Sequence, residues 1–107
     1  MGRKRRLAEM TGHQPEGSLL GQPVVRELDL HGRTAGEAER QVRDFILTSA
    51  RTASGRVIRI VTGKGLGSPG QPVLFPLVRR WLETDLAAQV AVVSVGADGG
   101  SYLVRMK

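Results

Sequence analysis

Residues 28–33 read Leu28-Asp29-Leu30-His31-Gly32-Arg33, an apolar run that ends by delivering an acid, an imidazole, a glycine and a guanidinium in close order. Alternation along a strand puts Leu28 and Leu30 on one face and Asp29 and His31 on the other. Either the second face is a polar site or the pattern is accidental. A second apolar run, Val57-Ile58-Arg59-Ile60-Val61, opens in the same way into Thr62-Gly63-Lys64-Gly65-Leu66-Gly67-Ser68. Between the two lies Thr34-x-x-Glu37, a capping box in which the hydroxyl and the carboxylate satisfy each other's backbone amides. Ala38, Val42, Phe45, Ile46 and Ser49 or Ala50 then recur at helical steps. A strand, a helix of about sixteen residues and a strand make a right-handed parallel crossover. That topology brings both polar ends to one edge, where open sheets of this kind hold ligands.

Working outward, the first strand spans Val24 to Asp29 and is entered through Pro23, where a missing amide costs nothing. Ser54-Gly55 breaks the first helix, and the second strand covers Arg56 to Val61. A second helix follows the glycine loop, with the stripe Leu74, Leu77, Val78, Trp81 and Leu82. Trp81 reads as core, and Phe75 falls beside the stripe. Pro76 belongs in the first turn, which places the start of the helix between Pro72 and Phe75. Gln89 to Val95 and Ser101 to Met106 or Lys107 form an antiparallel hairpin around Gly96-Ala97-Asp98-Gly99-Gly100. In the last strand Leu103, Arg105 and Lys107 share one face and Tyr102, Val104 and Met106 the other. The order is βαβαββ, an α/β chain. Residues 1–22 lack periodicity and carry a cationic cluster, Arg3-Lys4-Arg5-Arg6, with scattered glycine and proline; they are expected to form a disordered or loosely docked basic arm. The folded domain then covers 23–107.

Cysteine is absent from the 107 residues, which excludes disulfides, Cys-ligated zinc and cysteine nucleophiles. No apolar stretch reaches the ~20 residues needed to span a bilayer, and the basic start lacks a signal-peptide core. A cytoplasmic protein without membrane association is expected, acting as a monomer. The formal charge is +6, and arginine supplies thirteen of the sixteen cations. Arginine suits bidentate contact with phosphates, and a strongly basic balance is the electrostatic footprint of a nucleic-acid partner.

The polar ends have a chemistry of their own. His31 is the acid–base residue of the folded part suited to neutral pH. Lys64 stands between glycines, and the amides of Gly63, Gly65 and Gly67 can approach an anion unobstructed. Neither G-x-G-x-x-G nor G-x-x-x-x-G-K-[ST] is satisfied by this loop. Asp29 stands nearly alone, so no carboxylate cluster for two metals is present. No cofactor or metal ligand set is expected, and metal dependence stays open. A phosphodiester-cleaving site would use His31 to move the proton and Lys64 with the loop amides to stabilise phosphorane charge. Asp29 would orient His31 or organise the strand end. Arg33 either contacts phosphate or lies exposed before the helix.

A strand ending LDLHG, a helix, a strand ending in a G-K-G loop, a helix finishing in Val78-x-x-Trp81-Leu82 and a glycine-introduced last strand together resemble the Smr (small MutS-related) domain, over about residues 23–107. The resemblance implies a two-layer sandwich, a four-stranded mixed sheet with both helices on one face, similar to the C-terminal domain of bacterial translation initiation factor three. It implies a nicking, structure-selective endonuclease acting on DNA or RNA, with catalytic residues His31, Asp29 and Lys64. Phosphate would be held by Gly32, Arg33, Thr62, Gly63, Gly65 and Gly67. The alternatives are a non-catalytic DNA- or RNA-binding module and a ribosome-associated interaction domain. One departure stands out: the family's second motif is H-G-x-G, and Thr62-Gly63-Lys64-Gly65 has threonine where that histidine would stand.

Overall fold

The computed structural model describes residues 18–63 and 71–107. The elements run β1 (Val24–Asp29), α1 (Ala35–Thr52), β2 (Val57–Val61), α2 (Gln71–Glu83), a short 3-10 turn (Ala87–Gln89), β3 (Val90–Val95) and β4 (Ser101–Met106). The βαβαββ order is as the periodicity predicts. The four strands form one mixed sheet in the order β1-β2-β4-β3. β1 and β2 are parallel, with Leu28 opposite Ile60 and Asp29 opposite Val61. β4 runs antiparallel to both β2 and β3.

Both helices lie on one face, because each has one apolar stripe to bury. In α1 that stripe is Ala38, Val42, Phe45, Ile46 and Ser49, all buried. Leu74, Val78 and Leu82 supply the stripe of α2, and they join Leu30, Ile58, Ile60, Tyr102, Val104 and Met106 of the sheet in one core. Trp81 and Phe75 pack against that core while half-buried. The capping box forms as written: Glu37 N–H donates to Thr34 Oγ1 at 3.2 Å and Thr34 N–H to Glu37 Oε1 at 3.0 Å. Arg26 ties β1 to α1. Its guanidinium donates to the buried Ser49 hydroxyl at 2.7 Å and lies 4.7 Å from the Phe45 ring centre.

One expectation needs correction. Pro76 lies inside α2, whose regular helix already begins at Gln71. The missing amide removes one bond in the second turn, and burial of Leu74, Val78 and Leu82 along one side holds the helix through it. Of the arm expected over residues 1–22 as disordered or loosely docked, residues 18–22 are described, and they lie against the sheet. Leu19, 3% exposed, packs with Val57 and Leu103 on the face away from the helices. A lone leucine between polar residues has no period to betray it; it is buried because that face of Val57 and Leu103 needs cover. Residues 1–17, with the cationic cluster and His13, lie outside the described residues.

Candidate functional site

β1 hands over to α1 in five residues, and the amides of Leu30, His31, Arg33 and Thr34 each donate to a partner. Leu30 N–H donates to Val61 O at 2.8 Å, extending the parallel ladder past the end of the strand. Asp29 Oδ1 accepts the His31 backbone N–H at 2.9 Å, an Asx-type turn. Gly32 follows with φ +80°, a left-handed conformation that side chains disfavour. Arg33 N–H closes the turn on Leu30 O at 3.0 Å. Leu30 is fully buried, while His31, Gly32 and Arg33 are exposed. The apolar anchor and the Asx turn together project the imidazole and the guanidinium into solvent at the start of α1. Asp29 thus organises the strand end through the main chain of His31.

The end of β2 is held differently. Thr62 and Gly63 both donate their N–H groups to the Gly100 carbonyl, at 2.9 and 3.0 Å. The Thr62 hydroxyl also points to Gly100 O at 3.2 Å and to Gly63 O at 3.1 Å. Thr62 is 0% exposed. Its side chain is therefore a fastener between β2 and the β3–β4 turn. Gly63 then takes φ +91°, a left-handed conformation. Lys64, Gly65 and Gly67, expected to complete the site, lie outside the described residues. Asp29, His31, Gly32, Arg33, Thr62 and Gly63 are brought to one edge, the C-terminal end of the two parallel strands.

A third loop meets this edge, and the residue reading missed its role. Asp98, in the β3–β4 turn, accepts from Gly100 N–H at 3.0 Å, from the Ser101 hydroxyl at 2.9 Å and from Arg59 Nη2 at 2.7 Å. The sequence marks Asp98-Gly99-Gly100 as a turn; that it fastens β2 follows only from the β2–β4 pairing. The Gly100 amide, then the Ser101 hydroxyl and Arg59, hold the Asp98 carboxyl below the ordinary value of 3.8, with desolvation opposing them. A carboxyl lowered in the folded state adds stability that is complete above its unfolded value and is lost as pH falls through the folded one. Asp98→Asn is expected to be less stable than wild type at neutral pH and to lose less stability on acidification below about pH 4, read from urea midpoints across the acid range. Parallel acid limbs would contradict this linkage.

Among the described residues, no group of three or more His, Cys, Asp or Glu side chains is placed to hold a metal ion, and no helix is long and apolar enough to cross a membrane.

The fold and its edge define a class first: a small two-layer α/β domain that gathers polar loops at the C-terminal end of a parallel strand pair. The family model of the Smr domain matches residues 28–103, and the chain belongs to that family, which is associated with nucleic acids. An uncharacterized protein of Treponema pallidum (strain Nichols) is 35% identical over 81 residues, covering 76% of this chain and 40% of that protein. The chain thus spans less than half the length of that relative. No solved structure matches the chain.

Proposed function

We propose that this domain binds the phosphodiester backbone of DNA or RNA at the C-terminal edge of β1 and β2 and cuts it as a structure-selective endonuclease. The observation that carries the reading is the exposed His31 imidazole, presented beside Arg33 by a turn in which the Leu30, His31 and Arg33 amides are all hydrogen-bonded. A proton-transfer group must be positioned and yet reach solvent: the turn fixes the His31 main chain, and its exposed imidazole reaches solvent. In this mechanism the imidazole takes the proton from the attacking oxygen, a water or the neighbouring 2′-hydroxyl of RNA, as that oxygen bonds to phosphorus. The P–O bond to the leaving ester oxygen breaks, and the leaving oxygen takes a proton from solvent. Arg33, together with Lys64 and the amides of the glycine loop, offsets the charge that builds on the phosphorane. Asp29 acts as a positioning residue through the His31 amide.

A second reading, a binding module without catalysis, is favoured by Thr62. At the position of the family histidine it presents a buried, fastened hydroxyl, so a second proton-transfer group is missing there. A ribosome-associated interaction domain is the third reading, and cytoplasmic action as a monomer goes with all three. The test is cleavage of supercoiled plasmid, branched DNA and single-stranded RNA by purified protein, with and without EDTA. Product that depends on His31 supports the endonuclease. Salt-sensitive binding without product supports the module, and neither of these, with a protein partner recovered after nuclease treatment, supports the interaction domain.

A further inference from the structure

The face of the sheet away from the helices carries a second feature. Residues 18–22 cross it from β3 toward β1: Leu19 N–H donates to Ser94 Oγ at 3.1 Å, Gln22 N–H turns back to Leu19 O at 3.1 Å, and the chain enters β1 at Val24. Between this strap and the β3–β4 turn lies a groove of about 300 Å³, with Leu20, Val24, Arg59, Asp98, Ser101 and Leu103 among its walls. We infer that this groove seats one unstacked nucleobase of the strand whose phosphate is held at the β1/β2 edge, an inference that rests on the nucleic-acid reading above.

Size, charge and position point to that occupant. The volume sits at the small end of ligand sites, which suits a single planar ring system. Its apolar surface comes from the buried Leu103 and from Leu20 and Val24, each 40% exposed at the rim. Arg59 is its cation, and the bond to Asp98 at 2.7 Å offsets that charge. A groove whose charge is already offset is a poor phosphate site and a good one for a neutral ring with a polar edge. The same bond fixes the guanidinium, a planar group on which unpaired bases stack. Ser101, in the groove, is in register with Val61, and Val61 with Asp29, two residues before His31. By strand geometry His31 lies about 12 Å away. A strand of nucleotides held at His31 reaches the groove with its neighbouring base.

The test is fluorescence anisotropy of the full chain with a labelled single-stranded DNA and with the same strand made abasic. Wild type is expected to bind the base-containing strand about tenfold more tightly. Val24→Trp fills the groove from its exposed rim and should bring that ratio close to one without changing affinity for the abasic strand. Arg59→Lys, which keeps the charge and loses the plane, should lower the ratio in the same direction. A wild-type ratio of one, or a ratio that Val24→Trp leaves intact, overturns the inference while the phosphate edge stands. Failure to bind either strand at low salt overturns both. If Val24→Trp leaves both affinities unchanged but exposes residues 1–17 to trypsin, the groove belongs to the chain's own N-terminal residues, and the inference also falls.

Discussion

His31→Ala is expected to lower cleavage by at least about 100-fold, the smaller end of what a positioned acid–base group contributes, while strand affinity changes by less than about threefold. The reason is local. The turn around His31 is built from the Asp29 carboxylate, the His31 and Arg33 amides, the Leu30 carbonyl and the φ of Gly32. None of these uses the imidazole, so its removal leaves the edge intact and takes away only the group proposed to transfer the proton. The variant and wild type are to be purified identically and compared on the same substrate. A variant that cuts as fast as wild type assigns the signal to a contaminant.

The largest effect on stability is expected from Tyr102→Ala, about 3–5 kcal/mol by the behaviour of other buried aromatic truncations. Against a typical domain stability of about 5–15 kcal/mol, that is enough to populate the unfolded state. Tyr102 is 1% exposed and stacks on Phe75 with ring centres 4.4 Å apart. Its hydroxyl donates to the Phe75 carbonyl at 2.9 Å, bonding β4 directly to α2. Burial pushes the phenol up from its ordinary value, so it stays a donor across neutral pH. Tyr102→Phe keeps the ring and loses only that bond, for which about 1 kcal/mol is expected. Urea unfolding of the three proteins separates the two terms; equal midpoints for Tyr102→Ala and Tyr102→Phe would contradict the packing argument.

Much of the architecture is legible in local chemistry. The capping box at Thr34 and Glu37 names the first residue of α1, since no other arrangement satisfies those amides so economically, and the stripe from Ala38 to Ser49 names its buried side. β1 and β2 announce themselves by apolar runs that end abruptly. Pro76 misleads because propensity predicts a helix start where tertiary burial carries the helix through. Leu19 is invisible for the opposite reason: one residue has no period, and its burial depends on a sheet face that exists only after folding. The site divides along the same line. Asp29, His31 and Gly32 are consecutive and reveal their turn directly, whereas the role of Gly100 arises from a pairing between strands some forty residues apart. Thr62 is recognisable as a departure from the family motif, yet only its burial shows that the position has become a fastener.

Nucleic acid is proposed to engage the edge formed by β1, β2 and the β3–β4 turn. Backbone amide spectra of the isotope-labelled chain, titrated with a short single-stranded oligonucleotide, test it most directly. Shifts are predicted to concentrate on His31, Gly32, Arg33 and Gly36, on Thr62 and Gly63, and on Asp98 to Gly100, and to fade as salt rises. Shifts confined to the far ends of the helices, or none at low salt, would contradict the account.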